Sequence, residues 1–159
     1  MAMSEMTERN VIGNGPEINS PQSSDSQSTN PPLDHFLQSL VGLANHGVEM
    51  GITLTVGGFL ISGFLASGKR YFDDLAEAAI NVDLSEETRE QLRKYYLNFG
   101  SAYEMSPETD AEAPSPVYLH LRDAKYFHHS GKSIPGNASV WWRGRISEVN
   151  GFSLGVLGE

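Results

Sequence analysis

The 159-residue sequence has no cysteine, few basic residues and no long apolar run. Without cysteine there is no disulfide framework, no thiol nucleophile and no cysteine-based zinc site. Lys and Arg number 11 against 20 Asp and Glu, a net charge of -9. Such a chain repels polyphosphate at long range, so nucleic-acid binding would require a locally basic face. The longest apolar-leaning stretch, residues 52–66, is interrupted by Thr53, Thr55, Gly57, Gly58, Ser62 and Gly63, which makes it too short and too polar to span a bilayer. No basic segment leads into an apolar one at the start, so no secretory signal is expected and the protein is expected in the cytoplasm. No GxSxG elbow is present, and no Ser, His and Asp set has a spacing that assigns catalytic roles. Gly13 and Gly15 follow no strand pattern, and Gly57-Gly58 sits between two strands, so neither pair reads as a phosphate loop.

What is present divides into a tail and one ordered region. Residues 1–32 are rich in Ser, Asn, Gln, Pro and Gly and lack the apolar side chains that would offset the entropy of ordering, so a disordered polar tail is expected. Residues 33–158 read as a single α+β domain. Asp34 is a candidate N-cap for a helix carrying Phe36, Leu37, Leu40, Val41 and Ala44, with Gly47 as its stop. From Ile52 the period falls to two, placing Ile52, Leu54 and Val56 on one face and Thr53 and Thr55 on the other. Gly57-Gly58 then predicts a tight hairpin. Tyr71, Phe72, Leu75, Ala78 and Ala79 recur at helical spacing, and Asp83 or Ser85 is placed to cap a further helix with Leu92, Tyr95, Tyr96 and Phe99 along one stripe.

Residues 104–116 hold Glu104, Glu108, Asp110 and Glu112 with Pro107, Pro114 and Pro116, which predicts a flexible acidic loop. Val117, Leu119 and Leu121 then alternate with Tyr118, His120 and Arg122 as a half-buried strand. Residues 140–149 and 152–157 read as two further strands joined by Asn150-Gly151, the dipeptide best suited to a type I′ turn. The elements together predict a small, mostly antiparallel sheet or an Sm-like/SH3-like barrel, with an N-terminal helix and a helical insertion between two hairpins.

Charge is uneven, because residues 117–159 carry Arg122, Lys125, Lys132, Arg143 and Arg145 against Asp123, Glu148 and Glu159. Alternation puts Trp141, Arg143 and Arg145 on one face of a strand and Val140, Trp142, Gly144 and Ile146 on the other. Trp141, Arg143 and Arg145 are therefore the candidate partner-binding residues, as Trp and Arg concentrate interface energy or stack on bases. The plainer alternative is guanidinium groups packed over an exposed indole. His120, His128 and His129 do not share a face of one strand, so no metal site is assigned. The carboxylates Asp73, Asp74, Glu77, Glu86, Glu87 and Glu90 read as solvated helix faces rather than acid/base pairs. No catalytic residue and no cofactor is assigned.

The stretches ANHGVEMGITLTVGGFLISGFLASGKRYFDDLAE, VYLHLRDAKYF and VWWRGRISEVNGFSLG resemble the gas vesicle accessory protein family GvpU across roughly residues 33–157. The resemblance implies a non-enzymatic role in vesicle formation or organisation, including clustering, through gas vesicle structural or accessory proteins and self-association. A different likeness, to Sm-like small barrels, implies an RNA-binding alternative. The acidic loop and sheet show no acidic-Asn loop pairing for such a site, and the net charge opposes it.

Overall fold

The computed structural model describes residues 33–104, 115–128, 133–134 and 138–158. The expected tail over 1–32 and residues 105–114 of the expected acidic loop lie outside the described residues. The chain order is α1 (His35–Asn45), β1 (Met50–Val56), β2 (Phe59–Ala66), α2 (Gly68–Ala78), a 3-10 turn (Ala79–Asn81), α3 (Glu86–Ser101), β3 (Tyr118–Phe127), β4 (Ser133–Ile134), β5 (Val140–Arg145), a second 3-10 turn (Ile146–Glu148) and β6 (Val149–Leu154). The class is the expected α+β, built on a six-stranded open sheet whose ladders are antiparallel.

Local chemistry accounts for the element boundaries. Asp34 accepts a hydrogen bond from Leu37 N at 2.9 Å, and Ser67 and Ser85 cap α2 and α3 by accepting from Arg70 N and Thr88 N, each satisfying a helix donor that has no intrahelical partner. Gly57 and Gly58 have φ of +56° and +83°, the left-handed pair that a type I′ turn requires. β1 and β2 consequently pair without interruption from Val56↔Phe59 to Met50↔Leu65.

The two C-terminal strands do not form the expected hairpin. β5 pairs with β3, whereas β6 pairs with β1, at the far end of the order β4-β3-β2-β1-β6. Asn150 and Gly151 lie within β6, and Asn150 Oδ1 accepts from Gly57 N at 3.1 Å, bracing the β1–β2 turn instead of making its own. The chain turns earlier because Ile146 is buried and its N–H donates to Val117 O at 2.9 Å. That anchor bends the backbone before Asn150 is reached. Four interstrand steps separate β5 from β6, about 19 Å in a flat sheet, yet the chain from Arg145 to Val149 reaches at most about 14 Å when fully extended. The sheet therefore curls. Among the described residues no ladder joins β5 to β6, so the curl stops short of the barrel expected as one alternative.

The core fills the inside of this curl. Leu37, Leu40, Val41 and Ala44 of α1 pack against Ile52, Leu54, Ile61, Leu65, Leu119, Leu121 and Ile146. Thr53, on the opposite face as expected, is also buried: its hydroxyl bonds Ser62 Oγ and Gly155 O, each at 2.9 Å, while Leu157 N donates to Ser62 Oγ at 2.8 Å. The C-terminal residues thus strap the outer face of β1 and β2. The stripe expected to bury α3 does not do so, since Tyr95 and Phe99 remain 58% and 45% exposed. This helix packs on α2, where Phe99 stacks on Phe72 with ring centres 5.6 Å apart, and not on the sheet.

A bulge in β3 shifts its register against both β2 and β5. Its residue Asp123 has φ +52°, a conformation that Asp tolerates better than most side chains. The bulge brings β3 so close to Gly63 that a Cβ there would lie 2.8 Å from Arg122 O and 3.1 Å from Ala124 Cα. Gly63→Ala should therefore destabilise the fold by about 1–3 kcal/mol. Gly42→Ala, in α1 with nothing within 4 Å of the added carbon, should stabilise it by about 0.5–1 kcal/mol. Denaturant unfolding of the two variants checks this pair of opposite signs, and equal midpoints would contradict the bulge packing.

Candidate functional site

The outer face of β3 and β5 is set by their register, which pairs Tyr118 with Arg145 and His120 with Arg143. Alternation along β5 places Trp141 on this face and Trp142 on the inner one. Trp142 packs against the core and its ring lies across Gly144, where a Cβ would come within 2.2 Å of it. Trp141 is half-buried rather than free: its indole N–H donates to Asp74 Oδ2 at 3.1 Å, and its ring meets Tyr71 edge-on at 5.5 Å. It ties α2 to the sheet.

Arg143 and Arg145 are both exposed. The Arg143 guanidinium lies 3.5 Å from the centre of the Tyr118 ring and that of Arg145 6.0 Å from it. The platform is a phenol, not the indole that alternation suggested. A hydrogen bond from Arg145 pulls the Tyr118 phenol below its ordinary pKa, and its positive field and that of Arg143 act the same way. The structure thus brings two of the three candidate residues together over Tyr118 and commits the third, Trp141, to a structural contact. Sequence reading missed Tyr118 and Asp74. Tyr118 carries a usable signal, since it shares the alternation that includes His120.

Deeper on the same face, His120 is 1% exposed and ringed by Tyr71, Tyr103 and Phe72, with ring centres 4.8, 5.4 and 6.2 Å away. Among the described residues neither imidazole nitrogen has a hydrogen-bond partner. Burial, with Arg143 adding a smaller repulsion, pushes its pKa from the ordinary 6.5 down to about 3. His120 is therefore neutral. His128 lies beyond the end of β3, and His129 is outside the described residues. Among the described residues no three His, Asp or Glu side chains are grouped as a metal site would require.

Beside Trp141 a shallow cleft is lined by Arg70, Asp74, Arg122, Asp123, Ser139 and Val140. Its charges are matched, because Glu49 pairs with both Arg70 and Arg122, and Arg122 also pairs with Asp123. The carboxylates of the helical insertion are likewise engaged in part: Asp73 with Lys69 at 3.0 Å, Glu86 with Arg89 at 2.8 Å and Asp74 with Trp141. What the outer face offers chemically is binding by charge and stacking. No described helix is long and apolar enough to cross a membrane.

A family model described as gas vesicle protein GvpU-like matches residues 34–157, which takes in every element described above. No curated protein and no solved structure matches the chain.

The buried imidazole gives stability a definite pH dependence. The unfolded chain takes up a proton near the ordinary 6.5, whereas folded His120 stays neutral down to about 3, so its contribution is present above pH 6.5 and is lost as pH falls between those values. An unpaired buried polar group costs about 1–3 kcal/mol. His120→Phe should therefore raise stability at neutral pH, and its advantage over wild type should grow by about 2 kcal/mol between pH 7.5 and pH 5. Unfolding curves at both pH values read this directly, and a constant gap would contradict the burial of a neutral ring.

Proposed function

The chain belongs to the gas vesicle protein GvpU-like family, and on that premise we propose that it is a non-enzymatic accessory protein. It supports vesicle formation or organisation, including clustering, by binding the vesicle or its structural proteins and by associating with itself. Its place of action is the cytoplasm, at the vesicle surface. The observation that carries this reading is the pair Arg143 and Arg145, both exposed and both set against the Tyr118 side chain, in a chain whose net charge is -9. Arginines restrained by contact with an aromatic side chain lose less further entropy on binding, which makes them efficient anchors for a protein surface. A vesicle shell repeats its protein sites, so an anchor of modest strength gains through multiple engagement when copies associate.

Trp141 contributes by fixing the strand against α2 through Asp74, so its role in binding is to position the anchor. Flotation of purified protein with isolated gas vesicles tests the proposal. Wild type should leave the liquid phase with the buoyant layer and saturate, and Arg143→Gln with Arg145→Gln should weaken this by about tenfold or more, the scale of an interface hot spot. Protein that stays in the liquid phase at every concentration would contradict direct vesicle binding.

A further inference from the structure

We infer that Arg143 and Arg145 with the outer edge of β5 form a receptor for an extended acidic peptide segment of a partner protein, one carrying carboxylates at alternate positions. This rests on the proposed partner-binding role and specifies the chemistry of the partner.

The pairing of charges among the described residues points to the ligand. Of the six described arginines, Arg70 pairs with Glu49, Arg89 with Glu86, Arg93 with Glu90, and Arg122 with Glu49 and Asp123. Arg143 and Arg145 alone among them contact an aromatic ring and no described carboxylate. In a chain with 20 acidic residues against 11 basic ones, two guanidinium groups left without such a partner on the same strand face are the strongest local demand for an anion. Contact with the Tyr118 ring restrains the Arg143 guanidinium at an exposed position, and a planar fork of donors matches a carboxylate in bidentate geometry.

Spacing and backbone select a peptide. Residues two apart on a strand are about 6.7 Å apart along it, which is also the spacing of alternate side chains on an extended ligand. Among the described residues, β5 pairs on one side with β3 and no strand pairs with its other edge. That edge offers main-chain donors and acceptors to an added strand, while alternate side chains read the neighbouring face. A nucleic acid would use the guanidinium groups but not the edge, and would meet the repulsion of the acidic chain at long range.

Fluorescence anisotropy with the full-length protein tests this, using a labelled short peptide with glutamates at alternate positions among valine and threonine. The comparison peptide has the same composition with its glutamates contiguous, and a third probe is a single-stranded RNA oligomer. The alternating peptide should bind about tenfold more tightly than the contiguous one. Arg143→Gln with Arg145→Gln should abolish that binding while the chain still unfolds in one cooperative transition, and the double lysine variant, which keeps the charge and its spacing but loses the fork, should bind the alternating peptide several-fold more weakly while still preferring it to the contiguous one. Equal affinity for both peptides, tighter binding of the RNA, or full binding by the glutamine variant would each overturn the inference. Vesicle co-flotation that persists without peptide binding would remove carboxylate recognition and leave the vesicle role standing. Peptide binding without co-flotation would do the reverse.

Discussion

β3 is buried on both faces, with Leu119 and Leu121 turned into the core and His120 turned the other way into a ring of aromatic side chains. This double burial follows from where the helices are inserted. α2 and α3 leave the chain between β2 and β3, and Tyr71, Phe72 and Tyr103 cover the outer face of the strand that the insertion rejoins. An imidazole whose two nitrogens have no partner among the described residues is tolerated there because the surrounding rings supply dispersion contacts that offset part of its desolvation. The same packing fixes Trp141 against α2 through Tyr71 and Asp74. The helices cover the outer face only as far as His120 and Trp141, and Arg143 and Arg145 remain beyond the cover.

The division of that face has an electrostatic counterpart. The cleft beside α2 neutralises itself through Glu49, Arg70, Arg122 and Asp123, but exposed pairs of this kind contribute only about 0–1 kcal/mol each. They organise the surface more than they stabilise the fold. Over Tyr118 the cation–π contacts are of similar size, about 0.5–1 kcal/mol at an exposed site, and they leave the guanidinium charge unneutralised. A charge oriented by a neighbouring ring yet lacking a described counterion is suited to recognition in a way that a paired one is not.

Local order was legible in the residues, and the long-range pairings were not. The cap at Asp34, the cap at Ser85 as one of two candidates with Asp83, the Gly57-Gly58 turn and the alternation of faces along β1, β3 and Trp141–Arg145 of β5 all express chemistry within a few positions, and each appears where that chemistry places it, whereas Val140, which the same alternation assigned to the inner face, is exposed. Asn150-Gly151 misled because a strong local turn signal was outweighed by a tertiary one, the burial of Ile146 and its bond to Val117. Of the candidate site, the shared face of Trp141, Arg143 and Arg145 followed from a period of two. The engagement of Trp141 did not, because Asp74 lies 67 residues away and no periodicity reports such a contact. His120 shows the same limit: it occupies a position that alternation assigns to the polar face, and only the returning helices make that face interior.

We propose that the uncovered part of the outer sheet face is where this member of the GvpU-like family meets its partner. Arginine footprinting with a dicarbonyl reagent, read by peptide mapping on the free chain and on the chain bound to gas vesicles, tests it most directly. Arg143 and Arg145 should react fastest of the described arginines in the free protein, because the others are held by carboxylates, and both should lose reactivity on vesicles while Arg89 and Arg93 do not change. Unaltered labelling of Arg143 and Arg145 in the vesicle-bound chain would contradict it.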